Sequence, residues 1–397
     1  MLAWSASASA PAGGGLPIIF SEQGYSVDFS LSEEQVLLRD SVQRYAAEQG
    51  GVERHRRLAA GEPGFDPQAW ARFAELGWLA VPFTDADGGF DGGAVELMLI
   101  GEALGAAMMR EPYLHTVVTC GGLLQRGGNA QQRARHIPGI IEGAAQWALA
   151  CVETGSDYDL TRVATRAGAQ GEGYRLDGAK IAVLNGHCAD HFIVTAQCAR
   201  GLTLFVVDAN AAGLRRETFT AVDGGRGAHL HFDGVDLDAD SVLGAEGEGA
   251  ALLERVLDTA IVAMGAEALG AMQALLDATV EYTRTREQFG QPISRFQVLQ
   301  HRMADMYLKV EETRSLLLNA AIAVDQDSPG RAAACAALKV KLAEAGRHVS
   351  QEAVQLHGGI GMTDELAVGH HYKRLMLLGR LYGDENHYLQ KYVGLAA

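Results

Sequence analysis

The sequence is short of positive charge, of paired cysteines and of uninterrupted apolar runs, and each shortage removes a class of function. Lysine and arginine number 33 against 49 aspartates and glutamates in 397 residues, a net charge of −16 that repels polyanions, so nucleic acid is not an expected partner. The five cysteines, Cys120, Cys151, Cys188, Cys198 and Cys335, have no C-x-x-C spacing and leave one over from pairing, which predicts free thiols and a cytoplasmic setting. Only Leu257 to Leu276 is long and apolar enough to suggest a membrane span. Asp258, Glu267 and Gln273 interrupt it, which predicts a helix buried in a protein core and no membrane partner. Residues 1–26 are rich in Ala, Ser and Gly and lack both a basic start and an apolar run, so they read as a disordered leader rather than a signal peptide. No metal site is expected.

What remains divides into three zones. Residues 27–145 carry helical periodicity: Ser32 is a predicted N-cap ahead of an amphipathic helix with Val36, Leu37, Val42 and Tyr45 on one face, and Asp66 to Leu76 and Ala94 to Ala107 repeat the form. The glycine-rich loop between the last two reads as a solvated turn. From Gln146 to residue 247 the runs are short, β-branched or alternating, and separated by Gly or Asp turns, which predicts an antiparallel β-domain. Long helical patterns fill 248–397, with a polar break at Gln326 to Gly330.

The most distinctive stretch is Arg284 to Met306, RTREQFGQPISRFQVLQHRMADM, where Phe289, Gly290 and Pro292 break two long helices. It closely resembles the Arg-x-x-Phe-Gly…Phe-Gln signature of acyl-CoA dehydrogenases, and the likeness extends from Val27 to Val393. The resemblance implies an α+β fold with an N-terminal helical domain, a middle antiparallel β-barrel and a C-terminal four-helix bundle. It also implies FAD, with Arg286 on the pyrophosphate and Phe289 and Gln297 on the adenosine half. A guanidinium fork suits phosphate oxygens. Gln355, Gly358 and Gly359 match the family's other adenosine-side contacts, the glycines permitting close backbone approach.

The implied reaction removes an α-proton from an acyl-CoA thioester while a hydride leaves the β-carbon for flavin N5. It needs a carboxylate base of raised pKa and a hydrogen-bonded thioester carbonyl. Alignment backwards from Gln390 puts Asp384 where the family has a glutamate, one methylene short, with Glu385 beside it. Relatives that carry the base on the earlier apolar helix would place it at Ala260, which cannot serve. Glu267, a heptad further on, is the second candidate if burial raises its pKa; otherwise it pairs with an arginine of a neighbouring helix.

The flavin-ring side departs from the family. Val152-Glu153-Thr154 replaces Thr-Glu-Pro, and Ile181-Ala182-Val183 follows Lys180 where a Trp-x-Thr is usual, so Val152 and Val183 take ring-side places without hydroxyl or indole. Gly155-Ser156-Asp157 falls about two residues early, leaving Tyr158 and Asp159 at the family's Ser-Asp places. The tail patterns at Val368 to Leu375 and Tyr382 to Leu389 resemble bacterial pimeloyl-CoA and steroid side-chain dehydrogenase small subunits. The family implies an electron-transfer flavoprotein or similar acceptor, and either a homo-oligomer (tetramer or dimer) or a heterotetramer with a paralogous subunit. In the heterotetramer this chain could be a non-catalytic subunit completing a partner's FAD site. A CoA ester is anionic, so its site must rely on local arginines and backbone N–H groups.

Overall fold

The computed structural model describes residues 30–396; the leader reading for residues 1–26 lies outside them. Helices come first. In α1 (Glu33–Gln49) Ser32 accepts the Gln35 N–H and the Gln35 side chain accepts the Ser32 N–H, the reciprocal cap expected of Ser three residues before Gln. α2 (Val52–Ala60) and α3 (Pro67–Glu75) follow, α3 capped by the Asp66 carboxylate on Gln68 and Ala69. In α4 (Ala94–Ala106) the capping group comes from far away: the Asp325 carboxylate accepts the Ala94 N–H at 2.5 Å and the Val95 N–H at 3.2 Å. A carboxylate of the chain itself thus fills the anion-favouring start of α4 behind the glycine-rich loop. A π-helical segment, Leu114–Gly121, leads into α5 (Gly122–Gly127) and α6 (Ala130–Ile141).

The β-domain runs β1 (Trp147–Ala150), β2 (Arg166–Gln170), β3 (Gly173–Leu184), β4 (His191–Cys198), β5 (Gly201–Asp208), β6 (Leu214–Thr220), β7 (Arg226–Leu237) and β8 (Val242–Leu243). The sheet order is β6-β7-β3-β2-β4-β5-β8, with β1 beside β4. Most pairs are antiparallel as expected, but β1 and β2 both run parallel to β4. The long connection from Cys151 to Thr165 makes that possible, since a tight hairpin can join only antiparallel strands. Leu176, Val183, Phe192, Phe205 and Leu230 form this domain's own core.

Three long helices dominate the rest: α7 (Gly249–Thr285), α8 (Gln297–Asp325) and α9 (Arg331–His357), followed by α10 (Ala367–Leu378) and α11 (Glu385–Ala396). The stretch that resembles a membrane span is the middle of α7, and 78% of its most apolar window is buried by protein. Its Ala and Gly content lets α4 lie close. A Cβ on Gly105 would sit 2.0 Å from the Glu267 carbonyl oxygen, and one on Gly270 1.9 Å from that of Glu102. That close approach fixes where α7 presents Glu267 to the space between the domains.

Candidate active site

A cavity of about 110 Å³ opens where the three domains meet. Leu97, Gly101 and Leu104 of α4 and Ala263 of α7 line its apolar side, and Leu184 and Asn185 close it from the end of β3. Asn185 takes left-handed backbone (φ 62°) and donates from its amide to the Trp147 carbonyl at 3.1 Å, which ties the end of β3 to β1. Ala182 is left-handed too (φ 53°), at the point where the register of β3 on β7 shifts. A bulge of this kind changes which residues of a strand face the ligand side.

The opposite wall is ionic. Arg374 of α10 forks onto Glu267, Nε to Oε1 at 2.6 Å and Nη2 to Oε2 at 3.0 Å, and its Nη1 reaches Asp223 of the β6–β7 turn at 2.9 Å. Against the burial that would raise it, Arg374 and the Gly225 N–H hold the Asp223 carboxyl below its usual range. Arg110 donates Nε to the Gly64 carbonyl at 3.0 Å and Nη1 to the Asp223 carbonyl at 3.2 Å. Burial, reinforced by the Arg110 charge, pushes His55 down to about 3. Glu111, also on this wall, is tied to Arg54. Each carboxylate lining the cavity is therefore committed to an arginine. For Glu267 both oxygens are taken, the pairing anticipated as the alternative to a base.

The other residues singled out from sequence lie elsewhere. Asp384 is the N-cap of α11: Oδ1 accepts the His387 N–H at 2.9 Å, and the side chain borders a separate small cavity with Arg347, Arg380 and Glu385. It follows two positive-φ residues, Tyr382 (61°) and Gly383 (138°), that turn the chain sharply. Arg286, Phe289, Gln297, Gln355, Gly358 and Gly359 gather where α7 and α9 end and α8 begins; the stacking of Tyr282 on His357 at 4.5 Å binds two of those ends. From Glu267 to the end of α7 is roughly 27 Å at ~1.5 Å per residue, so this cluster and the cavity cannot be one pocket. Phe289 is 91% exposed. On the ring side, Val183 is only 2% exposed and belongs to the β-domain core, so its neighbour Leu184 is the residue that faces the cavity. The Val152 carbonyl accepts the Ile181 N–H at 2.9 Å, so that N–H is not available to a ligand. Glu153 holds that crossing in place: it accepts the wholly buried Lys180 ammonium at 2.6 Å and the Ala164 and Thr165 N–H groups.

Arg110, His115, Asp223 and Arg374 were not singled out from sequence. An arginine in the apolar face of α10 was the one available signal, because a guanidinium at such a position needs a buried partner.

Comparison with known proteins places this architecture. The N-terminal, middle and C-terminal domain profiles of acyl-CoA dehydrogenases match residues 32–144, 148–235 and 247–389. The chain belongs to the acyl-CoA dehydrogenase family, and is an oxidoreductase of that class with FAD as its cofactor. It is 33% identical over 350 residues to a cyclohex-1-ene-1-carbonyl-CoA dehydrogenase of Geobacter metallireducens, covering 85% of this chain and 91% of that one. It is 31% identical over 353 residues to a mitochondrial isovaleryl-CoA dehydrogenase of Pongo abelii, covering 85% and 83%. Its fold superposes on a chain of the ChsE4-ChsE5 complex from Mycobacterium tuberculosis with a TM-score of 0.85 at 28% identity, covering 92% and 98%.

Proposed function

We propose that the chain carries out α,β-dehydrogenation of an acyl-CoA thioester, with Asp384 as the carboxylate that takes the α-proton. What carries the second part is the commitment of Glu111, Asp223 and Glu267 to arginines, whereas Asp384 has no arginine partner among the described residues and uses one oxygen, on a backbone N–H. A base needs a free lone pair. Its place on the turn after Tyr382, against the β-domain loop at Tyr158 (Tyr158 to His387 ring centroids, 6.2 Å), puts it at a boundary between domains.

The residues present fit FAD. Arg286 has no ion-pair partner among the described residues, Phe289 projects into solvent from a left-handed backbone (φ 56°), and a Cβ on Gly358 or Gly359 would meet nothing within 4 Å. Arg286 would hold the pyrophosphate, with Phe289, Gln297, Gln355 and the two glycines along the adenosine. FAD, when bound, supplies the two-electron acceptor for the hydride. Val298, Tyr307, Leu308, Ile360 and Met362 expose apolar surface around the same end of the bundle, which supports a homo-oligomer in which one chain completes its neighbour's cofactor site.

Asp384→Asn tests the assignment. It should abolish substrate-dependent flavin bleaching while FAD stays bound; loss of turnover in Glu267→Gln with Asp384→Asn active would overturn it. About one FAD per chain expressed alone is the expected stoichiometry, and flavin appearing only on co-expression with a paralogue would instead indicate a heteromer with a non-catalytic role for this chain.

A further inference from the structure

The cavity is polar where an alkyl chain would be best served by carbon. His115, on the π-helical segment, lines it with neither ring nitrogen hydrogen-bonded among the described residues. His187, also lining it, donates Nε2–H to the Pro63 carbonyl and leaves Nδ1 without a partner among the described residues. Arg226 is tied to Glu62 through Nη1, and its buried Nε–H has no partner among the described residues. Arg110 has used Nε and Nη1 on carbonyls, and Nη2 has no partner among the described residues. His187 Nδ1 and Arg226 Nε–H are buried without a partner among the described residues, which is uncommon in a folded interior and calls for a ligand or water, whereas the His115 ring and Arg110 Nη2, on half-buried residues, face the cavity itself.

The groups act on one another. Burial, then the Arg374 charge, pushes His115 down to about 3, with Asp223 and His187 also felt there, and burial lowers His187 as well. Both imidazoles are thus neutral near pH 7, each with one N–H and one lone pair. Three guanidiniums, Arg110, Arg226 and Arg374, and three carboxylates, Glu111, Asp223 and Glu267, line the cavity, so the wall is already balanced. An acyl group ending in a carboxylate would tip that balance negative and point at imidazole lone pairs. An alkyl end would leave every unmet group unmet. A hydroxyl donates and accepts at once and carries no charge.

We propose that the acyl group this cavity receives bears a hydroxyl, which donates to the His115 imidazole and accepts from Arg110 Nη2, so that His115 decides the substrate class. The proposal rests on the acyl-CoA reading above. It is tested by titration calorimetry on the FAD-loaded protein with three matched series: ω-hydroxyacyl-CoA, unsubstituted acyl-CoA and the mono-CoA thioesters of dicarboxylic acids. At the best-fitting chain length the hydroxylated thioester should bind at least ~10-fold tighter than the unsubstituted one, since a site with polar groups waiting rejects the analogue that leaves them unpaired. In His115→Phe that ratio should fall towards one. Equal binding of the first two series, preference for the dicarboxylic series, or an unchanged ratio in folded, FAD-loaded His115→Phe would each overturn it. Should His115→Phe fail to fold, the ratio in the parent and in Arg110→Gln decides. Turnover of unsubstituted thioesters with no hydroxyl preference sinks this inference alone, whereas binding of none of the three sinks the acyl-CoA reading with it.

Discussion

Replacing Arg374 by methionine tests whether the ionic wall organises the cavity. Arg374 is 27% exposed in its side chain, but its partners are more enclosed, Asp223 at 3% and Glu267 at 15%. The substitution keeps much of the volume and strands two carboxylates, each of which loses a charge-assisted bond. Removing one partner of a buried pair typically costs about 3–5 kcal/mol. Partial exposure of the guanidinium argues for the lower end, about 3 kcal/mol, because water can replace some of what Glu267 loses. Glu267→Gln leaves no stranded charge and still accepts one guanidinium N–H, so it should cost about 1 kcal/mol. In Arg374→Met with Glu267→Leu the losses should be less than additive, since the second change removes a charge the first had stranded. The assay is urea denaturation followed by circular dichroism, with equal slopes required before midpoints are compared. A loss below about 1 kcal/mol in Arg374→Met would refute the reasoning, as would strict additivity in the double variant.

Three further outcomes follow from named contacts. Gly105→Ala should destabilise by about 1–3 kcal/mol by thermal melt, because its Cβ would lie 2.0 Å from a backbone carbonyl of α7 that cannot swing away. Phe289→Gly should leave the apo protein as stable or about 1 kcal/mol more so, by relieving a left-handed non-glycine residue, while FAD retention on a desalting column falls at least ~10-fold. Lys339 is fully buried against the Leu378 carbonyl, and burial, only partly opposed by Asp384, lowers it to about 7. The unfolded lysine keeps its proton up to about pH 10. The unfolded state therefore binds the extra proton between pH 7 and about 10, stability rises with pH across that window, and Lys339→Met should flatten the rise in denaturation midpoints.

Local rules were legible in the amino-acid order because their causes are local. The Ser32 N-cap, the break at Gln326 to Gly330 and the buried middle of α7 all depend on residues within a few positions of one another, where periodicity and capping chemistry act. The signature around Arg286 and Phe289 was equally plain, since a turn between two long helices announces itself through Gly, Pro and an interrupted period. Only tertiary structure decided which ionisable groups meet. Arg374 finds Glu267 across 107 positions and Asp223 across 151, and Arg110 finds Asp223 across 113; nothing in the spacing marks them as partners. It also decided that Leu184 rather than Val183 faces the cavity, because the bulge at Ala182 changes the strand's alternation, and a one-residue slip moves a side chain from one face of a sheet to the other.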